Sequence, residues 1–197
     1  MASKTRDSTP ARRRILDVAG ELFYRDGFRA VGVDTVVARS GVAKTTLYHH
    51  FASKDELIVA YLEDANERFW AWFDDAIARE REPRAQLVAL FEAVGALALS
   101  PQCLGCTFQG TAAEFPEPDH PGHRTARAHK QKVLRRLEHM AAAAGARDPA
   151  EVARELLLLM DGAFAAARMF GRRESPATAV ARAAQTLIDA HDPPPRS

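Results

Sequence analysis

The chain has few of the features that mark secreted, membrane or disulfide-bonded proteins. Its 197 residues include only two cysteines. It has no apolar run of about 18 residues, the length that a membrane-spanning helix needs. Its first residues, MASKTRDSTPARRR, lack the apolar segment of a signal peptide. We therefore predict a cytoplasmic protein without a membrane partner.

The usual catalytic signatures are missing as well. Serine, histidine and aspartate all occur, but the chain contains no GxSxG, HExxH, P-loop or GxGxxG motif. These motifs position a nucleophile, a metal ion, a nucleotide phosphate or a dinucleotide. Their absence argues against an enzyme, and we predict neither a cofactor nor a resident metal.

Two small groups leave other chemistries open. Cys103 and Cys106 form a CxxC pair, as in redox centres and zinc sites, but no second CxxC and no βαβ setting accompanies them. Metal-capable side chains are dense between residues 114 and 129. They are Glu114, Asp119, His120, His123 and His129. His120 and His123 share a helix face only if a helix already runs through the intervening Pro-Gly pair.

Composition and charge favour a helical protein with a basic N-terminal segment. Hydrophobic residues make up 47% of the chain, with many alanines and few β-branched runs, which favours helices over sheet. Residues 1–54 contain ten Lys/Arg and five Asp/Glu, a balance of +5, whereas residues 55–197 contain seventeen and twenty-one, a balance of −4. Such asymmetry is typical of a basic nucleic-acid-binding segment joined to an acidic body.

Residues 35–51, TVVARSGVAKTTLYHHF, have the pattern of a helix-turn-helix. A short apolar-periodic segment is followed by Gly41, the residue that most easily adopts a positive φ after a helix. Val42 and Leu47 then supply apolar anchors, while the residues between and after them offer hydrogen-bond donors. The second helix of this motif fits the major groove of DNA. The alternative is a solvated helical hairpin.

Helix-capping signals flank this motif. Thr9 and Pro10 predict a helix start with a hydroxyl N-cap, and Gly27 predicts its end. Downstream, Ser53 and Glu56 have the spacing of a capping box, which predicts a long helix to about residue 80. A support helix, two short helices and a long connecting helix are thus expected over residues 10–80.

The segment ARSGVAKTTLYHHF, followed by SKDEL, resembles the tetracycline-repressor (TetR) family of bacterial transcription regulators. The resemblance implies an all-helical homodimer with an N-terminal DNA-binding domain and a C-terminal domain for dimerisation and effector binding. Four residues depart from the family pattern. Gly32 stands where Ser or Thr usually caps the first helix, Val37 replaces Ala, Ala43 replaces a Ser cap and Thr45 replaces a frequent Gly. These departures concern details of DNA contact rather than the fold.

We accordingly predict an all-α protein with a DNA-binding domain over residues 1–54, which contains the three-helix helix-turn-helix unit, and an effector-binding and dimerisation domain over residues 55–197. The expected partners are double-stranded DNA with a palindromic site, a small organic effector and a second copy of the chain. Lysine and hydroxyl side chains contact phosphates, and tyrosine and histidine reach phosphates or base edges. The predicted DNA-binding residues are Lys44, Thr45, Tyr48 and His49 at the groove, and Thr46 and Lys54 on phosphates.

After residue 80 the pattern predicts further helices over residues 83–99, 107–115, 123–144, 149–171 and 176–190. A proline-rich segment at 116–122 is expected to interrupt them. Residues 156–160 are apolar around the whole helix circumference, and small residues follow at 162–167. The last helix has a similar small-residue face. Two such helices from each of two subunits predict a symmetric four-helix bundle. The alternative is that both faces are buried within one monomer.

Aromatic residues of the body could line an effector cavity, or simply fill a core. The predicted effector-binding residues are Phe69, Trp72, Phe73, Phe91, Phe108, Glu114, His129 and Phe164. Together with the resemblance, they predict a ligand-responsive transcriptional regulator, most simply a repressor released from its operator by an effector. The alternatives are an architectural DNA-binding protein without an effector and a CxxC-based redox-responsive regulator.

Overall fold

The computed structural model describes residues 9–191, which form nine α-helices, one 3₁₀ turn and no strand. The all-α prediction is confirmed. In chain order the helices are α1 Pro10–Asp26, α2 Val33–Ser40, α3 Lys44–His50, α4 Lys54–Ile77, α5 Pro83–Ala98, α6 Thr107–Glu114, α7 Pro121–Ala143, α8 Pro149–Phe170 and α9 Val180–Ala190, with the 3₁₀ turn at Pro176–Ala179.

The chain packs as two compact units. The first comprises the described residues up to Ala65 together with Gln109–Ala126, and the second comprises Asn66–Phe108 and the described residues from Arg127 onward. Packing therefore divides the chain inside α4, and again on either side of residues 109–126, rather than between residues 54 and 55. The functional division at 54/55 stays a prediction.

The first unit is built on α1, whose ends follow its capping residues. Thr9 Oγ1 accepts a hydrogen bond from the Arg12 amide at 3.3 Å, and Gly27 closes the helix with φ +91°. The apolar side of α1 is buried, and α1 packs on α2 and α3. A Cβ at Gly20 would lie 2.9 Å from the Tyr61 ring, so glycine at this position permits a close approach of the ring. The predicted support helix is confirmed.

The turn between α2 and α3 also has the predicted chemistry. Gly41 is left-handed, with φ +66° and ψ +22°, and its amide donates to the Val37 carbonyl at 3.1 Å. A side chain at this position would be strained, because L-residues rarely adopt this φ. Gly32 and Ala43 precede the two helices and make no side-chain cap. The substitutions of the usual capping residues therefore leave both N-termini uncapped by side chains.

The start of α4 is capped from two sides. The Glu56 amide donates to Ser53 Oγ at 3.1 Å, as the capping box predicts, and Glu56 Oε2 accepts from the Ala52 amide at 2.9 Å. The carboxylate thus reaches one residue further back than the usual reciprocal bond to the N-cap amide. Asp55 and Glu56 also place negative charge in the first turn, which the helix dipole favours.

The second unit has its own hydrophobic core. Helix α5 packs against α8 and α9, and α8 packs against α9. The largest fully buried side chains of this unit are Phe73, Phe91, Leu87, Leu90 and Leu137. The buried face of α9 consists of Val180, Ala184 and Ile188, which leaves its other small residues partly exposed.

Two helix boundaries differ from the sequence-based expectation. Helix α7 begins at Pro121, two residues before the expected start and inside the segment predicted to lack regular structure. Proline suits the first helical position because its missing amide would have no partner there. The helix after Ser175 begins with the 3₁₀ turn at Pro176–Ala179, and Ser175 Oγ accepts from the Ala177 amide at 3.2 Å.

Candidate functional sites

Helix α3 presents a row of polar side chains on a buried apolar anchor. Leu47 is fully buried, whereas Lys44, Thr45, Tyr48 and His49 are exposed. Residues 44, 45, 48 and 49 share one face at helical spacing, because 3.6 residues complete a turn. The row is short enough to enter a major groove, and its donors match phosphate oxygens and base edges.

Lys44 already has an anionic partner. Its Nζ lies 2.7 Å from Asp34 Oδ1, and that hydrogen bond raises the pKa of the Lys44 ammonium. Both side chains are largely exposed, at 54% and 81%. Exposed ion pairs contribute little to stability, so Lys44 can exchange Asp34 for a phosphate or a base at small cost.

Lys54 and His50 also have partners within the chain. Lys54 Nζ donates to the Arg29 carbonyl at 3.4 Å, and partial burial lowers the pKa of its ammonium group. His50 Nε2 lies 3.3 Å from Thr9 Oγ1, so its ring is turned toward the start of α1. Thr46 is partly buried. The roles of Thr46 and Lys54 at phosphates stay predictions.

Glu114 is assigned to a different compact unit from the other residues predicted for the effector site. It belongs to the first unit, where Oε1 accepts from the Phe28 amide at 2.9 Å and Oε2 accepts from the Arg29 amide at 2.6 Å. A Cβ at Gly27 would lie 3.0 Å from Oε1. The carboxylate therefore closes the turn after α1, and its role in binding an effector stays a prediction.

The two hydrogen bonds accepted by the Glu114 carboxylate lead to a stability prediction. We expect Glu114→Ala to lower the free energy of unfolding of the first unit by about 1–3 kcal/mol, because the partly buried Phe28 amide loses its acceptor. Hydrogen exchange at the Phe28 and Arg29 amides, read by NMR, should accelerate about tenfold or more. Glu117→Ala is the matched control, since Glu117 Oε2 is 3.9 Å from Arg29 and largely exposed. Unchanged exchange in Glu114→Ala would contradict this role.

The metal-capable side chains between residues 114 and 129 serve other contacts. His120 Nδ1 accepts from the Gly122 amide at 3.1 Å at the start of α7, and its ring stacks on Phe115 with centroids 4.0 Å apart. His123 Nδ1 lies 2.8 Å from the Phe115 carbonyl. Among residues 9–191 no group of three or more His, Cys, Asp or Glu could hold a metal ion.

The other predicted effector residues belong to the second unit. Phe73 and Phe91 are fully buried, and Phe164 is 7% exposed. Phe69 and Trp72 are partly buried, with ring centroids 5.5 Å apart. These five residues belong to one hydrophobic core or pack directly on it. Their role in binding an effector stays a prediction.

His129 lies among aromatic rings. It is 4% exposed, stacked on Phe108 with ring centroids 3.6 Å apart and 7° between the ring planes, and it meets the Phe69 ring edge-on at 4.7 Å. Burial, followed by the positive charges of Lys130 and Lys132, lowers the pKa of His129 to about 3. The imidazole is therefore neutral at physiological pH.

Asn66 and Trp70 also contact His129, and neither is among the residues predicted from the sequence. Asn66 Oδ1 lies 2.9 Å from His129 Nδ1 and accepts from Trp70 Nε1, also at 2.9 Å. Asn66 and Trp70 are four residues apart on α4, a spacing that places them on one helix face. That spacing was visible in the sequence, but the link to His129, 63 residues away, was not.

Cys103 and Cys106 are free, partly exposed thiols in the segment between α5 and α6. Both pack against the core of the second unit. Between them, Gly105 has φ +102°, and Arg168 donates to the Leu104 carbonyl at 2.9 Å. The redox alternative stays an untested prediction.

An apolar groove of about 280 Å³ runs between α8 and the last helical segment. Its floor includes the buried Ala163 and Val180, and the partly exposed Ala166 and Ala183 line it. The complete lining is Leu158, Leu159, Gly162, Ala163, Ala166, Pro176, Ala177, Ala179, Val180 and Ala183. Leu158, in this lining, is 72% exposed.

In the described part of the chain, no helix is both apolar and long enough to span a membrane.

The support helix, the glycine turn and the exposed row on α3 define a helix-turn-helix protein with a helical second unit. A family model described as bacterial regulatory proteins, tetR family, matches residues 15–61. Solved structures extend the likeness to nearly the whole chain. A TetR transcriptional regulator from Streptomyces avermitilis is 32% identical over 93% of this chain and 98% of its own, with a TM-score of 0.82. The chain belongs to the TetR family.

Other relatives agree with that assignment. A TetR-family regulator from Streptomyces coelicolor is 33% identical over 91% of this chain and 93% of its own, with a TM-score of 0.82. The transcriptional regulator UidR of Escherichia coli K12 is 38% identical over 39% of this chain and 36% of its own length. The match thus spans about a third of that curated relative. These proteins are named as transcription regulators, and the prediction of a non-enzyme is confirmed.

Proposed function

We propose that this protein binds a palindromic DNA site as a homodimer and represses transcription until a small apolar molecule releases it. The observation that carries the proposal is the exposed row Lys44, Thr45, Tyr48 and His49 on a helix anchored by the buried Leu47. Rigid anchoring matters because base readout requires the side chains to keep their register along the groove. Gly41 sets the angle at which the helix leaves the turn.

We expect selection from a random duplex pool to enrich a palindrome, and each mismatched base pair to cost about 1–3 kcal/mol. Lys44→Ala should relax base preference at one position of each half-site. Lys54→Ala should weaken all sequences alike and reduce the slope of log affinity against log salt by about one. Fluorescence anisotropy at several salt concentrations measures both effects.

Lys132→Ala is the control for this experiment, because Lys132 belongs to the second unit and its ammonium lies over the Trp70 ring at 4.4 Å. It should leave both the selected sequence and the salt slope unchanged. A pool that enriches no palindrome at any salt concentration would sink the DNA-binding assignment.

The groove on α8 and α9 supports the homodimer. It is lined by apolar and small side chains, which let two helices approach closely, and the exposed Leu158 would otherwise remain in water. A two-fold axis through this face pairs each groove with its own copy. The dimer in turn presents two α3 helices, as a palindrome requires.

The aromatic residues of the second unit support an effector site of mainly apolar character. Phe69, Trp72 and Trp70 are partly buried and so remain accessible from one side. Helix α4 carries residues of both compact units, because Ala65 belongs to the first and Asn66 to the second. We propose that a ligand beside Phe69 shifts α4, which changes the separation of the two α3 helices in the dimer.

Coupling of this kind is reciprocal. An effector that releases the operator should itself bind more weakly when operator DNA is present, by about 1–3 kcal/mol, or 5- to 150-fold. Calorimetry with and without operator DNA measures this factor. Equal affinities for a compound that binds beside Phe69 would exclude the coupling and favour the architectural alternative, in which Phe73 and Phe91 merely fill a core.

Whether the protein represses or activates transcription requires a separate test. Among the relatives, KstR2 of Rhodococcus jostii is named a repressor and is 30% identical over 48% of this chain, whereas FasR of Mycolicibacterium smegmatis is named an activator and is 35% identical over 42%. For this chain we expect a reporter behind the selected palindrome to be silenced by the protein. Increased reporter expression would instead assign an activator.

A further inference from the structure

The buried histidine of the second unit has a tautomer that its neighbours determine. An indole N–H can only donate, so the Asn66 atom 2.9 Å from Trp70 Nε1 must be the amide oxygen. The same oxygen lies 2.9 Å from His129 Nδ1. An oxygen acceptor at that distance requires the proton on Nδ1, and a neutral imidazole then has a bare lone pair on Nε2.

That lone pair has no donor among residues 9–191. The contacts of His129 within the described chain are the Asn66 oxygen and the rings of Phe69, Trp70 and Phe108. Among the described residues, Ser100 Oγ is the only fully buried side-chain polar atom without a hydrogen-bond partner, so His129 Nε2 is not enclosed and can be reached from outside the cluster. An acceptor left open beside three aromatic rings is a site for a group that donates.

The groups around His129 disfavour a ligand that carries a charge of either sign. An anion offers only acceptors and would face the Nε2 lone pair without a hydrogen bond. A cation would enter beside Lys132, whose ammonium lies over the Trp70 ring at 4.4 Å, and beside Lys130. Lys130 is already paired with Asp161, and the Lys132 ammonium is engaged by the Trp70 ring. A neutral donor fits best.

We propose that His129 Nε2 is the polar anchor of the effector site, and that it accepts a hydrogen bond from the hydroxyl of a neutral aromatic alcohol of the phenol class. The rings of Phe69, Trp70 and Phe108 would stack on the aromatic body of such a ligand. Asn66, Phe69 and Trp70 are only partly buried, which leaves one side of this cluster open for entry. The inference rests on the effector function proposed above.

Three probes that share the naphthalene ring system test the proposed hydrogen bond to His129 Nε2. They are 2-naphthol, 2-methoxynaphthalene and 2-naphthoate. Calorimetry on the full chain should give an affinity for 2-naphthol about tenfold or more above that for 2-methoxynaphthalene, which cannot donate, and the weakest binding for the anion. In His129→Phe the advantage of 2-naphthol should disappear while 2-methoxynaphthalene keeps its affinity. His139→Phe, an exposed position on the same helix, should leave all three affinities unchanged.

A second measurement does not depend on the variant folding. In ¹⁵N NMR of the wild type, His129 should show a protonated Nδ1 and an unprotonated Nε2, and 2-naphthol should shift the Nε2 resonance. The opposite tautomer, equal affinities for 2-naphthol and its methyl ether, or no binding of any probe would each overturn the anchor. Selective binding of 2-naphthol that leaves operator affinity unchanged would support the anchor and contradict the proposed regulation.

Discussion

A glutamate at position 166 should convert the dimer into monomers. Ala166 lines the groove on α8 and is partly exposed in one subunit, so the substitution has room in the isolated chain. In the two-fold interface each subunit would bury one unpaired carboxylate, at about 3 kcal/mol each and about 6 kcal/mol in total. The dissociation constant of the dimer should rise by about 10⁴.

Sedimentation velocity at micromolar concentration measures this change, with helical content from circular dichroism as the check on folding. Ala165→Glu is the matched control, because Ala165 is an exposed alanine of the same helix outside the groove lining. A glutamate at Ala163 is a poorer probe, since Ala163 is 5% exposed within its own subunit and the charge would unfold the chain. A wild type that sediments as a monomer would overturn the interface.

The second large effect is acid sensitivity at His129. Its pKa is about 3 in the folded chain against an ordinary value of 6.5. Below pH 6.5 the unfolded chain binds a proton that the folded chain does not, so stability is complete above pH 6.5 and falls as the pH falls toward 3. The loss is about 1.4 kcal/mol per pH unit and of the order of 4 kcal/mol over the whole interval.

His129→Phe keeps an aromatic ring at this position but removes the titrating group. Urea unfolding at fixed protein concentration and at pH 7, 6 and 5 should show the wild type losing stability relative to the variant, by about 0.7 kcal/mol from pH 7 to 6 and about 1.2 kcal/mol from pH 6 to 5. His139→Phe should follow the wild type, since that side chain is exposed. Parallel pH profiles for the wild type and His129→Phe would mean that the buried imidazole is not kept neutral.

Local signals predicted the helical framework well because each acts within one turn of the chain. Thr9 before Pro10, Gly41 between two short helices, and Asp148 before Pro149 all cap the helices that they were expected to cap. The bond from the Glu151 amide to Asp148 Oδ1, at 3.0 Å, spans three residues. Such contacts depend on neighbouring residues, and the sequence contains all of them.

The start of α7 shows where local signals conflict. The segment 116–122 contains three prolines, which predicts an irregular chain, yet the third of them, Pro121, opens the helix. His120 resolves the conflict, because its ring accepts from the Gly122 amide and stacks on Phe115. A histidine cap supported by an aromatic ring five residues earlier is not a pattern that periodicity reveals.

The sequence by itself determined the helix-turn-helix, its exposed polar row and the small-residue faces of the last two helices, because these follow from spacing along single helices. Only the tertiary structure decided what Glu114 and His129 do. Glu114 reaches the Phe28 amide across 86 residues, and His129 reaches Asn66 across 63. Helical periodicity says which face of a helix is buried but not which residues that face meets, since many pairings bury the same apolar area. The role of a polar group inside such a face is therefore set by its partners in space.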